Sequence, residues 1–206
     1  MEISELVSNI AMSVVSMLYN YQLIKFAGDT GVAAYGTIMY TSYIFSTFYM
    51  GYSFGRAPIV SFHYGAGNTD ELKNLFRKDL AIVIFAGILL TATSEILAHP
   101  IAHIFASYDQ ELFEMIRRGI YIYSFAYLLM GVNYAGSSFF TALNNGLVSA
   151  IISFLRTFVF EIIAVLSQPI LFGLDGIWGA GVVAEIASFA VTSICIVALR
   201  KKYGYY

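Results

Sequence analysis

Apolar residues run along this chain in blocks of roughly helix-spanning length, broken by short polar punctuation, and the rhythm predicts six membrane-crossing helices. Crossing the hydrocarbon core takes roughly 20 mostly apolar residues in a helix. Leu6 to Ile24 carries no charge, and "GDTG" at 28–31 closes that run as a turn. The next uncharged run, Thr30 to Gly55, is long enough for a second helix that continues, bent, toward Tyr64. A third span lies between Asp79 and Ala98, preceded by the amphipathic "DELKNLFRKD" and stopped by Pro100. Gly119 to Leu155 is uncharged and too long for one span, and "NNG" at 144–146 divides it into helices four and five. Helix five reaches about Phe172, and "GLDG" at 173–176 turns the chain into helix six, which ends at "RKKYGYY". The expected spans are 5–27, 32–64, 78–98, 116–142, 147–172 and 177–199. They form one domain over 1–206, an all-α integral membrane bundle of six transmembrane helices.

Composition agrees with a chain immersed in lipid. Hydrophobic residues make up 59% and charged residues 12%, about half the charge of a soluble domain, and the mean hydropathy is +0.73. The net charge of −2 suggests neither a nucleic-acid footprint nor a polybasic anchor. Cys195 lies alone in an apolar run, without a disulfide partner. The opening "MEISELVSNIAMS" lacks the basic region and cleavage site of a secretory signal, and it enters a span so directly that Met1 suits an internal methionine of a longer chain. Lys73, Arg77 and Lys78 follow helix two, and Arg200, Lys201 and Lys202 follow helix six. By the positive-inside rule both clusters, and both termini, are cytoplasmic in a bacterial-type inner membrane. Lys25, Arg117 and Arg118 lie near the opposite face.

Polar stripes at helical spacing need a purpose in such a bundle, either gluing helices together or facing water. Helix one aligns Glu5, Ser8, Asn9, Ser13, Ser16 and Asn20. Helix four aligns Tyr123, Tyr127, Met130, Tyr134, Ser137, Ser138 and Thr141, and helix five aligns Ser149, Ser153, Arg156, Phe160 and Ser167. Arg156 sits roughly 15 Å into helix five, and Glu185 a similar depth into helix six from the other surface. An unpaired charge at the midplane costs at least about 2.5 kcal/mol, so the two are expected to form a buried pair. Glu161, five residues from Arg156, falls off that stripe and is either a cavity carboxylate or a group in water near the outer surface. Glu5 heads the stripe of helix one without a cation within a helical turn; a carboxylate facing Asn and Ser oxygens can take a proton or a small cation.

The stretch "GYSFGRAPIVSFHYGAGN", 51–68, reads as the bent inner end of a span. Gly51 and Gly55 offer a small surface for close packing, Pro58 makes a hinge or kink, and Arg56 reaches toward the cytoplasmic headgroups. Enzyme chemistry finds little support. His99 and His103 are four apart, but Pro100 is expected to break the helix that would align them as a metal pair. "GAGN" lacks the Lys-Ser/Thr of a phosphate loop, and no catalytic triad is visible.

The blocks "SMLYNYQLIKFAGDTGVAAYGTIMY", "GYSFGRAPIVSFHYGAGNTDELKNLFRK", "SFFTALNNGLVSAIISFLR" and "GLDGIWGAGVVAE" resemble, in order and spacing, the second half of MATE (multidrug and toxic compound extrusion) transporters. The resemblance implies one six-helix lobe of a twelve-helix transporter, with the central cavity lying between lobes. It implies secondary active efflux of small organic cations by antiport with Na⁺ or H⁺, through alternating access against an N-terminal lobe or a second half-size chain. No cofactor beyond the coupling ion is implied. Glu5, with Asn9 and Asn20 on its stripe, would be the ion-coupling group. Tyr123, Tyr127, Tyr134, Ser138 and Glu161 would line the substrate cavity. Some relatives also carry an acid on the helix matching "YLLMGVNYAGSSFF", and none is present here, which leaves Na⁺ and H⁺ both open. Two further readings are a lipid-linked oligosaccharide flippase of the same superfamily, against which the few intramembrane basic residues argue, and a non-transporting membrane subunit.

Overall fold

The computed structural model describes residues 2–205, with side chains from Met12 onward. Helix α1, Glu2–Gly65, is broken at Gly28, whose φ of 59° and ψ of −152° belong to a region that only glycine enters readily. The break reverses the chain. The rings of Tyr19 and Tyr35 stack 4.9 Å apart, whereas sixteen residues of unbroken helix would separate them by about 24 Å. α1 is therefore a hairpin of two arms, 2–27 and 29–65, and the turn expected over 28–31 is concentrated in one glycine.

Helix α2, Thr69–Ala106, is capped by Asn68, whose side chain accepts from the Glu71 amide, and it carries Asp70 and Glu71 in its first turn, where the helix dipole favours them. It corrects two expectations. The amphipathic segment before Asp79 is the first part of this same rod, and Pro100 does not stop it. Pro100 points outward, while Ala98, Ala102 and Ala106 on the opposite face are 0%, 0% and 1% exposed. Close packing on both sides of the proline holds the helix together where its local preference would end it.

The fourth span is two helices rather than one: α3, Gln110–Tyr123, capped by Asp109, and α4, Ala126–Ala142. Between them Ser124 is fully buried; its carbonyl accepts from the Thr91 hydroxyl (3.1 Å), and its own hydroxyl donates to the Tyr121 carbonyl (2.9 Å). These bonds satisfy backbone groups that the break leaves open in a medium without water. The fifth span comprises α5, Gly146–Phe154, a π-helical turn, Leu155–Phe160, and α6, Glu161–Phe172. Gly173, with φ 59° and ψ −134°, reverses the chain directly into α7, Leu174–Tyr203. Asp175 and Gly176, expected in that turn, are already helical. A Cβ on Gly176 would collide with the Gln168 carbonyl and come within 2.8 Å of the Pro169 nitrogen, so α6 and α7 meet backbone to backbone there.

The six rods make a membrane bundle. Thr69–Ala106, Gly146–Phe172 and Leu174–Tyr203 are each long and apolar enough to span a bilayer. Large apolar side chains such as Ile96, Ile104 and Ile170 point outward, as a lipid-facing surface requires. Two apolar plugs fill the ends of the interior. One, near Gly28 and Gly173, gathers Leu23, Ile38, Ile116, Ile120, Val165 and Trp178. The other, near Asn68 and Asn145, gathers Val60, Phe76, Phe139, Phe140, Tyr203 and Tyr205. Tyr205 folds back past Gly204 to donate to the Ile196 carbonyl at 2.7 Å. Between the plugs lies a layer of charge and tyrosine.

Candidate functional site

The π-helical turn organises this middle layer. Such a turn closes i→i+5 hydrogen bonds and so carries an extra residue, which shifts every side chain after it around the rod. Arg156 lies inside the turn and Glu161 directly follows it. On a regular helix, residues five apart face different ways; across a π turn they come onto one side. Glu161, expected off the stripe of Arg156, is thus brought toward it.

Arg156 donates through Nε to Glu185 Oε1 at 2.8 Å and holds the same oxygen at 2.7 Å through Nη2. Its guanidinium lies 4.0 Å from the centre of the Tyr134 ring. The other Glu185 oxygen accepts from Asn133 Nδ2 at 2.6 Å, and that same amide also donates to the Glu185 carbonyl. α5/α6, α7 and α4 are tied together through one carboxylate, which satisfies a buried pair whose desolvation would otherwise outweigh its attraction.

Glu161 has a different environment. One oxygen accepts from the Tyr19 hydroxyl at 2.7 Å, and among the described residues no cation forms an ion pair with it. It lines a cavity of about 480 Å³ between the two arms of α1 and the π turn, with Tyr19, Tyr35, Tyr40, Tyr43 and Tyr123 as an aromatic wall and Ser16, Asn20 and Thr157 as polar neighbours. The Gly28 hairpin sets this wall, since it places Tyr19 and Tyr35 at matching heights on opposite arms. A second cavity, about 320 Å³, lies on the other side of Thr157 and is lined by Arg156, Asn133, Tyr134, Ser53, Ser138 and Ser153, among others. Ser137 and Thr141 on α4 exchange hydrogen bonds with Ser149 and Ser153 on α5 along its wall. Thr157 lines both cavities.

Toward the Asn68 end sits an ion pair that the sequence reading missed. Arg56, expected at the headgroups, is buried: Nη1 pairs with Asp79 Oδ2, and Nη2 donates to the Ala135 carbonyl and to Ser138 Oγ, the latter at 2.9 Å. The Tyr52 hydroxyl donates to the second Asp79 oxygen at 2.7 Å. Counting depth along each rod would have found it. Arg56 lies nine residues before the end of α1 and Asp79 ten after the start of α2, so the two sit level, and at that depth neither reaches water cheaply.

The remaining site residues divide. Glu5 and Asn9 lie outside the residues whose side chains are described. Asn20, Tyr123 and Glu161 line the first cavity, and Tyr134 and Ser138 the second. Tyr127 lines neither; it is 2% exposed and packs with Tyr49, Ala86 and Met130, because α4 presents it to α2 and to the second arm of α1. Gly51 and Gly55 are exposed, and a Cβ on either would meet nothing within 4 Å, so the expected close packing does not occur within this lobe. The backbone is helical through Pro58, and the non-helical residue of α1 is Gly28. His99 and His103 share a continuous helix across Pro100, and both are exposed.

Solved structures share this architecture. An outward-facing multidrug resistance MATE family transporter of the MOP superfamily matches at 20% identity with a TM-score of 0.82, over 95% of this chain and 45% of that one. The Vibrio cholerae MATE transporter VcmN in its bent form matches at 20% identity with a TM-score of 0.86, over 97% and 45%. A MOP superfamily transporter from Pyrococcus furiosus, described as having a binding pocket of reversed polarity, matches at 19% identity with a TM-score of 0.80, over 94% and 45%. The chain thus spans less than half the length of these transporters. No curated protein matches it in sequence. The family model described as MatE matches residues 6–166, most of the chain, and with the six-rod bundle this makes the protein a member of the MATE family of multi-pass membrane transporters.

Proposed function

We propose that this chain is one lobe of a secondary active transporter that exports organic cations in exchange for Na⁺ or H⁺, rocking against a second six-helix lobe supplied by a longer chain or by another half-size chain. The observation that carries this reading is Glu161, a carboxylate in a tyrosine-walled cavity with a hydroxyl partner and, among the described residues, no cationic one. A negative charge set among ring faces suits a bulky organic cation through Coulombic and cation–π attraction together, and the same carboxylate suits a proton or Na⁺ on the return. Orientation follows from Lys73, Arg77 and Lys78 on α2 and Arg200, Lys201 and Lys202 on α7, which favour a cytoplasmic Asn68/Asn145 end and cytoplasmic termini in a bacterial inner membrane.

The test is uptake of a fluorescent organic cation into inverted vesicles holding the chain together with a partner lobe, under an imposed Na⁺ or proton gradient. Gradient-driven uptake that is lost in Glu161→Gln supports the reading. Uptake indifferent to both gradients, or undiminished in Glu161→Gln, refutes it.

A further inference from the structure

Three charged groups meet in the middle layer, and they do not balance. With both carboxylates ionised, Glu161 and Glu185 contribute two negative charges against the single positive charge of Arg156. In the structure Glu185 holds Arg156, together with Asn133, and Glu161 is left with a tyrosine hydroxyl. An uncompensated charge at this depth is costly. The long guanidinium of Arg156 stands one π turn away, and Thr157, between the two in sequence, lines both cavities.

We propose that Arg156 is a tethered counter-ion shared by two carboxylates: it rests on Glu185 while Glu161 holds a cation, and it turns to Glu161 when that cation leaves. Arg156 is then a positioning residue that sets how readily the cavity releases its ligand. The π turn makes the exchange possible, because only with the extra residue do positions 156 and 161 face the same side. Tyr134 provides a ring face on which the guanidinium can slide between the acids without losing all its stabilisation. Asn133 keeps Glu185 hydrogen-bonded when Arg156 departs. The idea rests on the reading of Glu161 as the cation-binding carboxylate, but its first test needs no ligand.

That test is a double-mutant cycle on the purified chain in lipid nanodiscs, read as thermal midpoint. Glu161→Gln is expected to change the midpoint little by itself, because Glu185 holds Arg156. In a Glu185→Gln background Arg156 is expected to move to Glu161, so the variant folds, and adding Glu161→Gln there lowers the midpoint by several degrees more than in the parent. Equal shifts in the two backgrounds overturn the proposal. So does failure of Glu185→Gln to fold while Arg156→Gln/Glu185→Gln folds normally.

The second test is binding of tetraphenylphosphonium by calorimetry. Glu185→Gln, with Arg156 occupying Glu161 most of the time, is expected to bind roughly tenfold more weakly than the parent, in proportion to the free fraction of the site. Arg156→Gln/Glu185→Gln is expected to recover parental affinity or better. Unchanged affinity in Glu185→Gln overturns the exchange. If the parent chain binds no organic cation either alone or with a partner lobe, the reading under Proposed function fails, and the midpoint cycle still decides the behaviour of Arg156.

Discussion

Arg56 and Asp79 form an ion pair inside the bundle, with side chains only 8% and 7% exposed, between the second arm of α1 and α2. The pair also reaches α4 through the Ala135 carbonyl and Ser138. With Arg156–Glu185 it gives the lobe two buried charge pairs that share α4 as their common neighbour.

Removing one member of the Arg56 pair leaves the other charged and dry. Asp79→Asn or Arg56→Met is expected to destabilise the chain by about 3–5 kcal/mol. The double replacement Arg56→Met/Asp79→Leu is expected to recover most of that loss, because the desolvation penalty disappears with both charges. Thermal unfolding in detergent, followed by circular dichroism, checks this; a double variant no better than the singles would show that Arg56 acts through Ala135 and Ser138 instead.

Gly131 and Tyr49 make a tight contact. A Cβ on Gly131 would stand 2.5 Å from Tyr49 Cε1, and Tyr49 is fully buried with its hydroxyl donating to the Tyr127 carbonyl at 2.9 Å. The ring cannot move without breaking that bond, so Gly131→Ala is expected to cost about 1–3 kcal/mol by overpacking. Gly51→Ala, where a Cβ meets nothing within 4 Å, is the control, expected to be neutral or slightly stabilising. Equal midpoints for the two variants would contradict the packing seen at Gly131.

The tyrosine wall of the first cavity predicts aromatic dependence. Tyr35→Leu is expected to weaken binding of tetraphenylphosphonium by about 0.5–2 kcal/mol, the range of a cation–π contact, while Tyr35→Phe retains most of it. Calorimetric titration of the chain in nanodiscs measures both. Similar losses in the two variants would assign the effect to the hydroxyl and remove the ring face from the site.

Water access separates a binding cavity from a packed seam. In a Cys195→Ala background, Thr157→Cys is expected to react with a membrane-impermeant thiol reagent in vesicles and to be protected by an organic cation. Ile170→Cys, at a position 82% exposed on the apolar outer face, is expected to be shielded by lipid and to react slowly. A Thr157→Cys no faster than Ile170→Cys would mean that the cavity is closed to water.

Much of this protein is written locally. Six apolar runs between polar breaks specify six rods, since no other element satisfies its own backbone in hydrocarbon, and Asn68, Asp109 and Asn145 cap three helices within a few residues of where the hydrophobic pattern begins. The meeting of Arg156 with Glu185 was legible from depth alone, because two opposite charges equally far from water have few other partners.

What the sequence left open depended on rotation about a rod and on neighbours distant in the chain. The π turn moved Glu161 onto the side of Arg156, and no local periodicity announces an extra residue in a turn. Pro100 stayed helical because three alanines on its far face were held by other rods, and Arg56 turned inward because Asp79, on another helix, was waiting at the same level. Spacing along a chain fixes depth in the membrane; only packing fixes which way a side chain faces, and in a medium that cannot solvate charge, facing decides partnership.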